Sequence, residues 1–343
     1  MRESEVSCPD GPRLRAAVIG VGYLGRFHAQ KYKALPGVEL VAVVDTNEAR
    51  AGVIAAELGV PYYSDHRDIP GSLDLVSVAT PTYAHSRLAE ACLADGIHVL
   101  VEKPMTVTLE EADRLIALAE GAGLVLQVGH LKRFHPAVVA LRNSGLLKSP
   151  KFIDSMRFSP FKSRSLDVDV VMDLMIHDVD LILNFVGSEL KEIEAVGARV
   201  VTDHVDIANA RLKFVNGCVA NVTASRVARD AARRIRLFQK DTFISLDFIS
   251  HDIVVMQRGD GTMELDGVKV PAITKSTIAI ESYDTLEAEI RSFCDSVRRR
   301  SPPLVGGRDG RKALEVVQRI RESIRQSTRV MESDLIELSP EAF

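Results

Sequence analysis

Tryptophan is absent from the sequence, and cysteine is scarce. The four cysteines, Cys8, Cys92, Cys218 and Cys294, are far apart and form no C-x-x-C pair, which excludes a zinc ribbon or a thioredoxin-like motif. Scattered thiols of this kind are typical of structural residues in a reducing compartment. The cysteines therefore give no indication of a metal site, and they favour a cytoplasmic protein.

Two further absences are a long apolar run and a strong net charge. No stretch approaches the roughly 20 apolar residues that a membrane helix needs, so we expect no membrane span. The formal net charge is only −4 over 343 residues, which gives no reason to expect a nucleic acid partner. Residues 1–13 lack the basic start and apolar core of a signal peptide, and we expect them to form a loose tail.

The most informative segment that is present is the glycine pattern in residues 20–25, which follows an apolar run and precedes a helical stretch. This G-x-G-x-x-G arrangement is typical of a dinucleotide site. Gly20 allows the tight strand-to-helix turn, Gly22 lets the backbone approach a pyrophosphate, and Gly25 lets the helix pack close to the strand. The helix N-terminus then offers its N–H groups to the phosphates.

Asp45 stands twenty residues beyond Gly25, at the end of a second apolar run. A carboxylate at this distance can accept hydrogen bonds from both hydroxyls of an adenosine ribose. The same carboxylate repels a phosphate placed on that ribose. The sequence therefore predicts NAD rather than NADP as the cofactor.

The order of apolar and helical segments predicts an α/β fold in two parts. Residues 14–129 alternate short apolar runs with helices, as in a Rossmann domain with a doubly wound parallel sheet. In residues 130–285 a helix over 170–186 is followed by several strands with few helices between them, the last of them over 253–257. This order predicts an α+β domain with an open, largely antiparallel sheet. Asn216-Gly217 is a hairpin turn signal within it. Helices over 286–299 and 308–325, within residues 286–326, would complete the fold.

Glu102-Lys103-Pro104 follows the apolar run 97–101. Ligands of open parallel sheets bind beyond the carboxyl ends of the strands, so we expect Lys103 beside the nicotinamide. A positively charged ring lowers the pKa of a neighbouring lysine, which would let Lys103 exchange a proton near neutrality. The alternative is a surface lysine at a strand end.

Asp173 and His177 stand four residues apart on a predicted apolar helix and therefore share one face, about 6 Å apart along the axis. An imidazole suits general base catalysis near neutrality, and the carboxylate could orient it or bind substrate. The alternative is a structural histidine in the core. Asp178 and Asp180 permit a metal site, but no other residues show ligand spacing, so we predict none.

Five arginines fall between positions 226 and 236. Arg234 and Arg236 alternate with apolar residues and so share one face of a strand. Their guanidinium groups suit the phosphates of a substrate. The alternative is a solvated strand edge protected by charge.

The residues above belong to a set of motifs that carry a family resemblance. The motifs are Gly20-Val21-Gly22-Tyr23-Leu24-Gly25, Ala79-Thr80-Pro81-Thr82-Tyr83-Ala84-His85, Glu102-Lys103-Pro104, Gly129 with Arg133-Phe134-His135-Pro136, and the pair Asp173 and His177. With them the chain resembles the glucose–fructose oxidoreductase/inositol dehydrogenase (Gfo/Idh/MocA) family over nearly its full length. It departs from the family pattern at residues 165–170, where the usual glycine cluster is missing.

The resemblance implies oxidation or reduction of a carbinol carbon in a sugar or cyclitol, and a homodimer or homotetramer built through the C-terminal sheet. It implies a catalytic group of Lys103, Asp173 and His177. The cofactor residues that it implies are Gly20, Gly22, Tyr23, Leu24, Asp45, Thr80, Pro81, His85, Glu102 and Lys103. His130 and Arg133 would contact the substrate. A non-catalytic NAD-binding sensor is the alternative, which the presence of all three catalytic residues disfavours.

Within the family, Ser225-Arg226 and residues 234–239 resemble the UDP-N-acetylglucosamine 3-dehydrogenases, which form a 3-keto sugar nucleotide. A diphosphate on the substrate would suit Arg234 and Arg236. A free sugar or inositol dehydrogenase is the main alternative.

Overall fold

The computed structural model describes residues 12–162 and 168–337. Residues 1–11 of the predicted tail, including Cys8, and residues 165–167 of the atypical segment lie outside the described residues. The chain forms two compact units. The first extends to Phe134 and also includes Tyr283–Arg311, and the second comprises His135–Ser282 and the chain from Lys312 onwards.

The described residues form eight α-helices. In chain order they are α1 (Tyr23–Ala34), α2 (Glu48–Leu58), α3 (Thr82–Ala94), α4 (Leu109–Ala122), α5 (Pro136–Ser144), α6 (Ile176–Val186), α7 (Thr285–Arg299) and α8 (Gly307–Glu337). Helix α4 begins at a capping box, because Thr108 Oγ1 accepts from Glu111 N (3.2 Å) and the Glu111 carboxylate accepts from Thr108 N (3.0 Å).

The first unit contains the predicted parallel sheet. Its strands are β1 (Leu14–Ile19), β2 (Val38–Val44), β3 (Tyr62–Tyr63), β4 (Leu75–Val78), β5 (His98–Glu102) and β6 (Leu126–Gly129). They lie in the order β3-β2-β1-β4-β5-β6, and every neighbouring pair is parallel. All four residues of β4 are buried, as expected for a strand covered on both faces. The predicted Rossmann fold is confirmed.

Helix α7, although late in the sequence, belongs to the core of this first unit. Its residues Ile290 and Phe293 are fully buried and cluster with Tyr32 of α1 and with Leu75 and Leu100 of the sheet. Burying each such apolar side chain contributes about 1.5–3 kcal/mol. Helix α7 therefore packs with α1 against the sheet and stabilises the first unit.

The second unit contains the predicted open, largely antiparallel sheet. Its strands are β7 (Phe152–Phe158), β8 (Leu190–Ala198), β9 (Ile207–Phe214), β10 (Val219–Ser225), β11 (Ala232–Phe238), β12 (Thr242–Asp247), β13 (Asp252–Leu265) and β14 (Val268–Thr277). They lie in the order β14-β13-β12-β11-β7-β10-β9-β8, and only the pair β7 and β10 is parallel among these strands. The hairpin predicted at Asn216-Gly217 joins β9 to β10, and Gly217 has a φ of 83°.

The sequence pattern predicted too few strand residues at the β13 and β14 end of this sheet. The predicted strand over 253–257 extends to Leu265, and its partner β14 was not predicted at all. Most side chains in the outer part of this hairpin are exposed, so neither strand shows the apolar alternation that identifies a half-buried strand. Gly259, Gly261 and Pro271 further weaken the strand pattern.

The predicted helix over residues 170–186 is not uniform. Val171–Met175 form a wider π turn, and the regular helix α6 begins only at Ile176. Such turns are often found at functional sites. Helix α6 packs against β7 and β10 of the sheet.

Three of the four cysteines lie among the described residues. Cys92, Cys218 and Cys294 are free and buried, and burial raises the pKa of Cys92 to about 12, which makes its thiol a poor nucleophile.

Among the described helices, none combines the length and apolar character that crossing a bilayer requires.

Candidate active site

The glycine turn between β1 and α1 has three distinct steric environments. Gly20 has a φ of +87°, and a Cβ there would lie 2.7 Å from Thr80 Cγ2. A Cβ on Gly25 would lie 1.8 Å from the carbonyl oxygen of Gly20. A Cβ on Gly22, by contrast, would meet no atom within 4 Å. The fold itself therefore requires Gly20 and Gly25, whereas Gly22 leaves open space at the start of the helix.

That open space is suited to an anion. Among the described residues, no side chain caps α1 and no acidic residue lies in its first turn, so its first backbone N–H groups are available to an anion. A cavity of about 480 Å³ opens here. It is lined by Val21, Gly22, Tyr23, Arg26, Phe27 and Arg50. The sequence-predicted residue Leu24 lies in the same first turn.

Asp45 is held rigidly at the end of β2. Its Oδ2 accepts from Val21 N at 3.0 Å, and its Oδ1 accepts from Asn47 N at 2.9 Å. The side chain of Arg50, half exposed, reaches Asp45 Oδ2 with its Nη1 at 3.5 Å. The carboxylate is therefore fixed beside the glycine turn, where the ribose of a dinucleotide would require it.

His85 links two of the sequence-predicted cofactor segments. Its Nδ1 lies 2.9 Å from the carbonyl oxygen of Pro104, and its Nε2 lies 2.8 Å from that of Thr80. Pro81, directly after Thr80, occupies the N-cap position of helix α3. Both partners are carbonyl oxygens, which can only accept, so both ring nitrogens could donate only if the ring were a protonated imidazolium. Burial lowers the pKa of His85 and therefore opposes the protonated ring. The neutral ring donates to one carbonyl at a time.

Glu102 and Lys103 lie at the carboxyl end of β5, as the sequence predicts. Glu102 is the last residue of the strand and is 8% exposed. Its Oε2 accepts from the backbone N–H of Lys103 at 3.2 Å, and its Oε1 lies 3.0 Å from His28 Nε2. Gly129 on the neighbouring strand leaves room for this carboxylate, since a Cβ there would lie 2.9 Å from it.

Two further predicted residues follow β6 in the same unit. His130 is 1% exposed and Arg133 is 6% exposed. The Nη2 of Arg133 lies 3.6 Å from the carboxylate of Asp309. Part of the Arg133 guanidinium group is therefore engaged in a salt bridge with Asp309. Its contact with the substrate stays a prediction.

Asp173 and His177 lie in the second unit. Asp173 is in the π turn, His177 is in the first turn of α6, and both are half-buried. The neighbouring Asp178 is committed to a buried ion pair, because its two oxygens accept from Arg157 Nη2 (2.6 Å) and Nε (2.8 Å). Asp178 therefore has a structural role in this ion pair. The catalytic role predicted for this segment depends on Asp173 and His177.

The arginine cluster has carboxylate partners that the sequence did not reveal. Arg234 donates to Asp247 Oδ2 at 2.7 Å, and Arg236 pairs with Asp154. Strand β11, which carries both arginines, lies between β7 and β12. The alternative interpretation of a charged strand edge is therefore wrong, because this strand is interior to the sheet. The partners are 13 and 82 residues away in sequence, which is why composition alone gave no indication of them.

Sequence reasoning missed a set of buried polar residues behind Glu102. These are His28 and Tyr32 on α1, Ser77 on β4 and Glu289 on α7. Each is at most 1% exposed. The available indication was a polar residue inside an otherwise apolar stretch, as Ser77 is within β4.

A Rossmann unit with an open helix start and an aspartate fixed beside it is typical of a dinucleotide-binding protein. Residues 14–130 match the model of the oxidoreductase family with an NAD-binding Rossmann fold, and residues 152–243 match the GFO/IDH/MocA C-terminal domain. The chain belongs to the Gfo/Idh/MocA family of oxidoreductases.

Among curated relatives, the UDP-N-acetylglucosamine 3-dehydrogenase of Acidithiobacillus ferrooxidans is 42% identical over 311 residues, covering 91% of this chain and 97% of the relative. The myo-inositol 2-dehydrogenase of Thermotoga maritima is 28% identical, covering 94% of this chain and 100% of the relative. A solved structure of the Acidithiobacillus enzyme, GnnA, superimposes with a TM-score of 0.86 at 41% identity, covering 92% of this chain and 98% of that one.

The steric difference between two glycines of the turn can be tested with matched alanine variants. Gly22→Ala should fold with a near-normal Tm, because its Cβ has room, but should weaken NAD⁺ binding on the order of tenfold or more, about 1.4 kcal/mol. Gly25→Ala should lose at least about 1–3 kcal/mol of stability through overpacking. Thermal unfolding and an NAD⁺ titration measure both. Unchanged NAD⁺ affinity in Gly22→Ala would contradict the assignment of this turn to the pyrophosphate.

Proposed function

We propose that the chain is an NAD-dependent dehydrogenase that oxidises the 3-hydroxyl of UDP-N-acetylglucosamine to a ketone. The observation that carries this is the 42% identity to an enzyme of that name over 91% of this chain. The described residues fit the cofactor, since they provide the open start of α1 and the fixed carboxylate of Asp45. NAD, when bound, accepts the hydride from C3 of the sugar.

Side chains of the protein would accept the proton of the sugar hydroxyl. His177 takes the proton of the 3-hydroxyl as general base while the C–H bond at the same carbon breaks, and Asp173 orients the imidazole. Lys103, whose backbone is held at the end of β5, contributes positive charge close to the forming ketone oxygen. His130 and Arg133 are proposed to contact the sugar, and Tyr23, Leu24, Thr80, Pro81 and His85 to line the cofactor.

A second candidate is a free sugar or inositol dehydrogenase. The paired state of Arg234 and Arg236 favours it, because a diphosphate would have to displace Asp247 and Asp154 from these guanidinium groups. The 28% identity to a myo-inositol 2-dehydrogenase is consistent with it. The higher identity to the sugar-nucleotide enzyme makes the first candidate the stronger one.

Asp45 should make the protein select NAD⁺ over NADP⁺. The carboxylate would repel the additional phosphate by about 1–4 kcal/mol, and Arg50 at 3.5 Å offsets part of this. Titrations of wild type and Asp45→Asn with both cofactors would measure the preference. We expect wild type to prefer NAD⁺ and the variant to lose most of that preference, whereas equal affinities in wild type would contradict the role of Asp45.

His177→Ala should reduce kcat by about 10²–10⁴-fold, as expected for loss of a general base, while NAD⁺ affinity stays near that of wild type. His204→Ala is the matched control, because His204 is an exposed histidine of the same unit. Initial rates of NADH formation and an NAD⁺ titration give both quantities. If His177→Ala retains wild-type turnover, His177 is not the base.

Arg234 and Arg236 are proposed to exchange their carboxylate partners for the diphosphate of the substrate. Such binding is similar in the ground and transition states, so Arg234→Ala should raise KM for UDP-N-acetylglucosamine on the order of tenfold with little change in kcat. Arg229→Ala is the control, since its side chain is 96% exposed and its carboxylate neighbour lies 3.9 Å away. An unchanged KM in Arg234→Ala would limit these arginines to their ion pairs with Asp247 and Asp154.

A further inference from the structure

A chain of hydrogen bonds runs through the interior of the first unit and ends at Lys103. Tyr32 Oη lies 2.9 Å from Ser77 Oγ, which lies 3.0 Å from His28 Nδ1. His28 Nε2 lies 3.0 Å from Glu102 Oε1, and the other oxygen of Glu102 accepts from Lys103 N. Helix α1 and strands β4 and β5 each contribute to this chain.

One assignment of protons satisfies every member of this chain. Tyr32 donates to Ser77, Ser77 donates to Nδ1 of His28, and His28 donates through Nε2–H to an ionised Glu102. Burial raises the pKa of Tyr32 and so keeps its donating proton in place. Burial opposes ionisation of Glu102, but the hydrogen bond and the electrostatic attraction from His28, followed by the charge of Lys103, outweigh it and lower the pKa of Glu102.

Glu289 adds a second carboxyl group to the same buried space. It is 0% exposed, and neither of its oxygens has a hydrogen-bond partner among the described residues. Ligand-type atoms of His28, Glu102 and Glu289 all lie within 4.8 Å of one another. An ionised Glu289 would therefore face the charge of Glu102 with no hydrogen-bond donor among the described residues to compensate it, which is costly.

We propose that Glu289 is a neutral carboxylic acid, and that Glu289 and His28 are positioning residues that keep Glu102 as the single buried anion behind Lys103. They act through Glu102, which accepts the backbone N–H of Lys103 and so fixes this residue at the end of β5. The catalytic part of this inference rests on the proposed dehydrogenase function. The protonation state of Glu289 does not.

The surroundings of Glu289 support the neutral acid. Burial first, and then the charge of Glu102, raise the pKa of Glu289 well above its usual range. Gln127 approaches Glu289 through a backbone contact, because its Nε2 donates to the Glu289 carbonyl oxygen at 3.2 Å. The titratable side chains close to this carboxyl group are those of His28, Glu102 and Tyr32. Ser77 and Lys103 are bonded to these residues, and Cys294 acts electrostatically on Tyr32.

Infrared difference spectroscopy of the full-length protein tests the neutral state directly. At neutral pH, wild type minus Glu289→Gln should contain the carbonyl stretch of a protonated carboxylic acid, and the band should shift in D₂O. Absence of the band would overturn the proposal. A stoichiometric metal ion in the purified protein, removed by a chelator and lost in Glu289→Gln, would overturn it as well, because the same three side chains could bind a cation.

The pH dependence of stability gives an independent measurement. Because its pKa is raised in the folded state, Glu289 stabilises the fold most below its unfolded pKa of about 4.3, and this contribution is lost as pH rises through the folded-state value. The Tm of Glu289→Gln minus that of wild type should therefore grow as pH rises from about 5 to about 8. A difference that stays constant over this range would contradict a neutral Glu289.

The positioning role is tested by kinetics. Glu289→Gln, which mimics the neutral acid, should keep kcat within about threefold of wild type, whereas Glu102→Gln should lose on the order of a hundredfold through misplacement of Lys103. Loss of kcat in Glu289→Gln at an unchanged Tm would overturn the role. If wild type itself does not oxidise UDP-N-acetylglucosamine, the proposed function fails, and the infrared and stability measurements still decide the state of Glu289.

Discussion

The close approach of α1 to the turn after β1 is the constraint on which the first unit depends. Because only a hydrogen fits between Gly25 and the carbonyl oxygen of Gly20, the helix can pack directly against the strand end. The same packing brings His28 and Tyr32 of α1 onto Ser77 and Glu102 of the sheet. This steric feature therefore positions the buried network behind Lys103, while Gly22, at the start of the same helix, leaves open space that is suited to an anion.

The network has an energetic consequence for the sheet. Polar groups in a core are tolerated only when they are bonded, and a partly satisfied network is less stable than an apolar one. Four members of this network have well-formed bonds, and the fifth, Glu289, is accommodated if it carries a proton. With Glu289 neutral, one negative charge, and not two, lies next to the end of β5 and the backbone of Lys103.

Periodic patterns in the sequence predicted the fold well because these patterns report burial. The buried strand β4, the capping box at Thr108 and the hairpin at Gly217 each have a local physical cause that is visible in a few consecutive residues. The outer part of the β13 and β14 hairpin has little burial to report, and it was missed.

Long-range polar pairs were beyond the reach of the sequence for a different reason. His28 and Glu102 are 74 residues apart, and Arg236 and Asp154 are 82 apart, so no local pattern connects them. The glycine turn and Asp45 could be predicted because they form one local βαβ unit. The roles of Lys103, Asp173 and His177 rest on family resemblance and on their positions at a strand end and in a π turn.

The central claim is that a sugar nucleotide is the substrate, and it is tested most directly by initial rates of NADH formation across UDP-sugars, free sugars and inositols. We expect NADH formation with UDP-N-acetylglucosamine. The kcat/KM for this substrate should be at least about tenfold above that for any free sugar or inositol, which is equivalent to about 1.4 kcal/mol of transition-state binding. No NADH from UDP-N-acetylglucosamine, or a higher kcat/KM with an inositol, would contradict it.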